Sequence, residues 1–150
     1  MTGARGAAVA KAKAFNGKWN KNSKMRATSG EEYNVIAFGI PADHNFVKGR
    51  ERLNTCPGAK ACRAVCFAKQ GGYRFPATIA AREHNLALTL SPAFVGMVVE
   101  DLRRKRSANT IRIHDSGDFY SQEYFDKWCA IARALPHLTF FAYTKSLHLN

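Results

Sequence analysis

The first thirty residues of this chain contain no acidic side chain, although seven basic residues lie among them. Small residues also dominate this opening, so we expect residues 1–30 to form a basic, loosely ordered arm. The whole chain has a formal net charge of +12. That charge favours a polyanionic partner, most often nucleic acid, although it is also compatible with a basic protein whose charge only aids solubility.

Long apolar runs are missing as well. No stretch of about 18 apolar residues occurs, which predicts that no segment spans a membrane. Lys11 and Lys13 interrupt the apolar centre that a signal peptide would need. These absences predict a protein of a reducing cytoplasm. An apolar fraction of 46% argues against general disorder, and we expect one domain over residues 31–150.

The closely spaced cysteine pair of a zinc ribbon is also absent. Instead Cys56, Cys62 and Cys66 lie within eleven residues, separated by five and then three residues. Thiols this close in a reducing compartment favour a metal or an iron–sulfur cluster over a disulfide. The fourth cysteine, Cys129, falls in a predicted amphipathic helix and is interpreted as a packed thiol.

Two metal sites fit the three clustered thiols. One is an iron–sulfur cluster with three protein thiolates and one open iron, and the other is a zinc ion completed by a distant ligand. No histidine lies near the cluster at a recognisable spacing. Unpaired core thiols, or a redox pair plus one, remain as alternatives without metal. The histidines that could complete a zinc site are His44, His84, His114, His137 and His148.

The residue pattern alternates between strands and helices. This order predicts an α/β domain in which parallel strands are joined by right-handed crossovers. The loops that follow the strands then meet at one edge of the sheet, where binding groups concentrate. The predicted elements are strands over 33–40, 110–114 and 138–144, helices over 77–90, 92–106 and 121–135, and a long cysteine-containing loop over 41–76.

The run HDSGD follows the second predicted strand. Asp115 and Asp118 could accept hydrogen bonds from an amine or from hydroxyl groups, and Ser116 adds another donor and acceptor. Gly117 permits close backbone approach to a ligand. A turn whose side chains satisfy their own backbone is the alternative. His114 is either a functional group or a satisfied core histidine.

The third predicted strand ends in another polar group. Tyr143 and Lys145 could face a substrate, or they could be a core tyrosine beside a solvated lysine. The candidate catalytic residues are therefore His114, Asp115, Tyr143 and Lys145.

Three motifs follow one another between Asn34 and Ser146, in the order CPGAKACRAVCFA, IRIHDSGDFYSQEYFDKW and FFAYTKS. In these motifs the chain resembles the bacteriophage gene-product-88-like proteins, which look like a distant branch of the radical S-adenosylmethionine (SAM) enzymes. The resemblance implies the first three βα units of a partial (β/α) barrel. It also implies a 4Fe-4S cluster and SAM as cofactors.

Carried over to this chain, the resemblance makes Cys56, Cys62 and Cys66 the cluster ligands. Ser116, Gly117 and Asp118 match the segment that holds the methionine part of SAM. Two features depart from the radical-SAM pattern. The cysteine spacing is usually three and then two residues, and the barrel usually has about six strands. The short sheet predicts a homo-oligomer or a partner chain that completes it.

These observations predict a radical-SAM-like iron–sulfur enzyme that acts on a macromolecule, with nucleic acid favoured by the charge. The alternative is a non-catalytic phage protein that binds nucleic acid or a host factor and contains a structural zinc or iron–sulfur site.

Overall fold

The computed structural model describes residues 16–21, 32–45 and 52–150. The strands in these residues are β1 (Trp19–Asn20), β2 (Val35–Phe38), β3 (His44–Asn45), β4 (Leu53–Asn54), β5 (Thr110–Ile113) and β6 (Thr139–Ala142). A four-stranded sheet has the order β1-β2-β5-β6, and β3 and β4 form a separate antiparallel pair. Strands β2, β5 and β6 are parallel, whereas β1 is antiparallel to β2.

The predicted α/β class is confirmed, and the sheet is open. The described strands do not close on themselves. The barrel-like form is therefore not observed in them and stays a prediction. The three predicted strands are parallel as expected, and β1 adds an antiparallel strand beside β2 that the sequence did not predict. This strand lies within the part expected to be a loose arm. Residues 1–15 and 22–30 of that arm lie outside the described residues.

Three helices lie close to their predicted positions: α1 (Pro76–Thr89), α2 (Phe94–Arg104) and α3 (Gln122–Ala134). Proline at the first position of α1 has no amide hydrogen to leave unpaired. Ser121 caps α3, because its Oγ accepts a hydrogen bond from the Tyr124 amide at 3.1 Å. Helix α2 begins later than expected, since Ser91 Oγ accepts from the Ala93 amide at 3.2 Å in a preceding turn.

The main core lies between the sheet and the helices. Phe38 of β2 meets Trp128 of α3 with ring centroids 5.4 Å apart, and Phe94 of α2 lies 5.7 Å from each ring. Aromatic pairs of this kind contribute about 0.5–1.5 kcal/mol beyond their buried area. On the other face of β2, Val35 and Ala37 pack against Phe141. Strand β2 is therefore buried on both faces, which explains its continuous apolar sequence.

The long loop after β2 is shaped by local turns. Beyond the β3–β4 pair it contains 3₁₀ turns over Ala61–Arg63, Phe67–Lys69 and Gly71–Arg74. Short-range bonds such as Lys69 N–H to Cys66 O at 3.1 Å satisfy its backbone. The part of this loop from residue 52 onward can therefore lie on the surface with a fixed shape while it carries the cysteines.

None of the helices in residues 16–21, 32–45 and 52–150 is long and apolar enough to cross a membrane. The longest of these, α1, has 14 residues, whereas a membrane-spanning helix needs about 20.

Strand β6 is an edge of the sheet among the described residues, and Phe140 and Phe141 on it are only half-buried. An apolar edge of this kind pairs readily with another chain. We expect the protein to self-associate as its concentration rises, measured by light scattering. Thr139→Lys places a charge on the exposed edge and should shift the protein toward monomer.

Ala87→Lys adds the same charge at an exposed position of α1 and should leave self-association unchanged. A wild-type protein that stays monomeric at every concentration would contradict the prediction.

Candidate functional site

A cavity of about 230 Å³ lies where the loops that follow β2, β5 and β6 meet. The parallel strands cause this arrangement, because their carboxyl ends lie at the same edge of the sheet. Every residue predicted from the sequence to be catalytic, to bind the cofactor or to hold the iron–sulfur cluster lines this cavity. These residues are Cys56, Cys62, Cys66, His114, Asp115, Ser116, Gly117, Asp118, Tyr143 and Lys145. Their shared location is now established, while their chemical roles stay predictions.

A larger cavity of about 430 Å³ lies against α1 and shares Asp115 with the first. Its lining contains Trp19, Tyr73 and Phe75 but none of the cysteines. Size alone does not mark the functional site here. The smaller cavity, which we call the cysteine cavity, brings together the three clustered cysteines and the candidate catalytic and cofactor-binding residues.

The buried carboxylate of Asp118 joins the loops around the cysteine cavity. Its Oδ1 accepts hydrogen bonds from Thr144 Oγ1 at 2.6 Å and from the Phe119 amide at 2.7 Å. Its Oδ2 accepts from the Lys145 amide at 2.8 Å. The Asp118 amide in turn donates to Thr55 O at 2.9 Å. One residue thus ties the loop after β5 both to the loop after β6 and to the cysteine loop.

Gly58 brings the cysteine loop directly against the loop after β6. A Cβ at this position would lie 2.0 Å from the carbonyl oxygen of Lys145, which is far inside van der Waals contact. Only glycine allows these two backbones to approach so closely. The cysteine loop is therefore in contact with the loops after both β5 and β6.

Gly117 and Ser116 make contacts within the protein that the sequence did not predict. Gly117 has a φ of 76°, and a Cβ there would lie 2.3 Å from Ile40 Cγ1. Ser116 Oγ donates to Ile40 O at 2.7 Å. The close approach expected for a ligand at Gly117 is thus made by Ile40. The assignment of Ser116, Gly117 and Asp118 to cofactor binding stays a prediction.

Arg82 of α1 does not line the cysteine cavity but positions two residues of its wall, and the sequence did not indicate this role. Its Nη2 lies 2.8 Å from Asp115 Oδ2, its Nε donates to Ser116 Oγ at 2.6 Å, and its guanidinium lies 4.5 Å from the ring centre of Tyr73. The side-chain amide of Asn20 also donates to Asp115 Oδ2. Asp115 is therefore held in a buried ion pair, which fixes its orientation before any catalytic role is considered.

His114 is buried at the wall of the cavity and adopts a φ of 67°, which is uncommon for a residue with a side chain. Its Nε2 lies 2.9 Å from the hydroxyl of Tyr124, while Nδ1 has no hydrogen-bond partner among the described residues. Burial lowers the pKa of His114 to about 4, against an opposing effect of the Asp118 charge. The imidazole is therefore neutral at pH 7.

The three cavity cysteines are free thiols and are partly exposed. Cys56 Sγ accepts a hydrogen bond from the Asp43 amide at 3.4 Å, and burial raises the pKa of its thiol. A hydrogen bond to Cys62 and the charge of its thiolate raise the pKa of Lys145. Cys129 lies on α3 and does not line the cavity.

No group of three or more His, Cys, Asp or Glu side chains in the described parts of the chain is arranged to hold a metal ion. Of His84, His114, His137 and His148, only His114 lines the cavity, and its pairing with Tyr124 uses Nε2. The side chain of His44 lies outside the described part of the chain. The zinc alternative therefore has no preformed site in these residues. An iron–sulfur cluster likewise has no preformed geometry, and its case rests on the shared cavity.

Comparison of the sequence with known proteins finds matches to one protein family. The sequence model described as Gene product 88 matches residues 9–150. The Gene 88 protein of Mycobacterium phage L5 is 30% identical over 120 residues, and that of Mycobacterium phage D29 is 28% identical over 120 residues. Each match covers 73% of this chain and 47% of the relative, so the chain spans about half the length of these curated relatives. No solved structure matches the chain.

Gly117→Ala tests the contact between the loops after β2 and β5. The new Cβ would clash with Ile40 and force an unfavourable positive φ. We expect the free energy of unfolding to fall by about 1–3 kcal/mol in a denaturant titration. Gly96→Ala is the control, because nothing lies within 4 Å of a Cβ there and the residue is in α2. Gly96→Ala should raise the free energy of unfolding by about 0.5–1 kcal/mol. Equal effects of the two substitutions would contradict the contact between Gly117 and Ile40.

His114 should also make stability depend on pH. Its folded pKa of about 4 lies below the ordinary value of 6.5, so the unfolded chain binds more protons between these values. The stabilisation is complete above pH 6.5 and is lost as the pH falls toward 4, by as much as about 3 kcal/mol. Denaturant titrations across this range should show the loss in the wild type and a flatter profile in His114→Gln.

His137 is exposed, so His137→Gln should retain the wild-type profile. An unchanged pH profile in His114→Gln would show that other groups cause the loss.

Proposed function

The chain belongs to the Gene product 88 family, and within that family we propose that it is an iron–sulfur protein. Cys56, Cys62 and Cys66 would hold a 4Fe-4S cluster that serves reductive chemistry on a macromolecule. The observation that carries the proposal is that these three free thiols line one cavity at the carboxyl edge of the parallel strands.

The groups around the cavity suit such a cluster. A volume of about 230 Å³ has room for several atoms rather than one ion. The Asp43 amide already donates to Cys56 Sγ, and Lys145 contacts Cys62. Hydrogen bonds to the sulfurs and nearby positive charge both stabilise thiolate ligands. Three thiolates leave one iron of the cluster open to a small molecule.

Reductive cleavage of SAM is the chemistry that the family resemblance attaches to such a cluster. In this chain Ser116, Gly117 and Asp118 would contact the cofactor. The Asp118 carboxylate already accepts three hydrogen bonds, and an ionised carboxylate has about four acceptor positions. One position therefore remains for the ammonium group of SAM, while the other three keep the carboxylate in place.

A macromolecular substrate is favoured by the setting of the cavity. Tyr143 and Lys145 line it and are largely exposed, so a large molecule can approach without entering it. The net charge of +12 favours a polyanion among macromolecules. The two phage relatives are about twice the length of the matched region, and the activity of the whole protein is part of the proposal.

Anaerobic purification tests the cluster directly. We expect brown protein with roughly four iron and four sulfide per chain, the composition of a 4Fe-4S cluster. Replacing Cys56, Cys62 or Cys66 by serine should remove the colour and most of the iron. Cys129→Ser is the matched control, because this thiol lies on α3 away from the cavity and should not affect the iron content.

Stoichiometric zinc without sulfide would overturn the cluster and support a structural metal site. Iron that persists in all three single variants would show that other residues bind it.

A further inference from the structure

Two aromatic rings stand at the mouth of the cysteine cavity. Tyr143 and Phe67 both line it, and they are 75% and 53% exposed. Tyr143 makes an edge contact with Phe141 at 6.0 Å, and Phe67 makes one with Tyr73 at 5.5 Å. Exposure of two large rings beside one cavity costs solvation free energy, so this arrangement indicates a surface that binds a partner.

The same mouth is positively charged. Arg112 and Lys145 line the cavity, and the Arg112 guanidinium lies 5.4 Å from the ring centre of Tyr143. Beside them, Arg63 and Lys69 share the single carboxylate of Asp43, at 3.0 and 2.6 Å. The surface that a partner meets therefore has an excess of positive charge.

The two carboxylates that line the cavity do not cancel this excess. Asp115 is paired with Arg82, and Asp118 is bound by backbone and hydroxyl donors. Both are buried. The charge of Asp115 is therefore compensated by Arg82. The charge of Asp118 lies below the mouth, and the four cationic side chains named above outnumber it and the Asp43 carboxylate.

We infer that this mouth binds single-stranded nucleic acid, with a base stacked on Tyr143 and phosphates near Lys145 and Arg112. The inference rests on the proposed function, because it names the macromolecule that the cluster would act on. Exposed aromatic rings combined with cationic side chains are the usual means of binding single strands without sequence preference. A duplex fits less well, because its bases are stacked inside and cannot reach Tyr143 unless they are flipped out.

Charge argues against the same mouth of a second copy as the occupant, because two positively charged mouths would repel each other. Pairing along the β6 edge relies on backbone hydrogen bonds instead. An acidic protein segment shares the negative charge of nucleic acid but has no bases to stack. The contribution of Tyr143 therefore separates the two polyanions, because stacking adds to affinity only for nucleic acid.

The experiment measures fluorescence anisotropy of a labelled oligothymidine of about twelve nucleotides, within the usual site sizes of single-strand binding proteins. The full cluster-loaded chain is used, with the matching duplex and polyglutamate as competitors. We expect the single strand to bind most tightly. Tyr143→Ala should weaken binding about five- to a hundredfold, from the loss of one stacked base, and Tyr143→Phe should retain it.

Tyr33→Ala is the matched control, since Tyr33 is 47% exposed and does not line the cavity. It leaves the basic residues before it intact and should not change affinity. Lys145→Gln should lower the slope of log affinity against log salt by about 0.7, the value for one phosphate contact on a single strand. Circular dichroism and iron content are recorded for every variant.

An unchanged affinity in Tyr143→Ala, or competition by polyglutamate as strong as by the single strand, would overturn the inference. Loss of iron with stacking-dependent binding retained would instead overturn the cluster and leave the binding surface established. Full iron content without binding of the single strand would overturn the binding surface and leave the cluster established. The two proposals can therefore fail separately.

Discussion

The carboxylate of Asp118 is the group on which the cysteine cavity depends. Through Thr144, the Lys145 amide and its own backbone bond to Thr55, Asp118 holds three loops at one edge of the sheet. These hydrogen bonds are partly buried, so removing the carboxylate would break the connection between the loops and leave its donors incompletely solvated. Gly58 reinforces the same junction by letting the cysteine loop touch the backbone of Lys145. The thiols are positioned by this junction rather than by regular secondary structure.

Several features of the cavity wall lower the stability of the fold. His114 adopts a left-handed conformation and has an unpartnered Nδ1, and Asp115 has an unpartnered buried Oδ1 among the described residues. Backbone strain and unsatisfied buried polar atoms each cost about 1–3 kcal/mol. Such costs concentrate where a protein uses its side chains rather than where it only packs them. Their coincidence with the cysteine cavity is consistent with a functional role for this edge.

The sequence predicted the helices and the parallel strands to within a few residues, because apolar periodicity and caps such as Ser121 are local signals. It also predicted that the loops after the strands would meet, which follows from parallel topology alone. It did not reveal Arg82, since the ion pair with Asp115 joins residues 33 positions apart and nothing in the helix sequence marks its partner. Gly117 was interpreted as a site for ligand approach, which stays a prediction, and its contact with Ile40 was not foreseen because Ile40 lies far earlier in the chain. Strand β1 was missed because two residues paired to β2 leave no periodic pattern.

The central claim is that three thiolates in this cavity hold a cluster with one open iron. Electron paramagnetic resonance of the reduced, anaerobically purified protein, recorded with and without SAM, tests it most directly. The account predicts the signal of a reduced 4Fe-4S cluster, and it predicts that SAM changes this signal by binding to the open iron. A reduced protein that gives no cluster signal would contradict the claim that the cysteine cavity is an iron–sulfur site. A cluster signal that SAM leaves unchanged would contradict the open iron and its SAM chemistry.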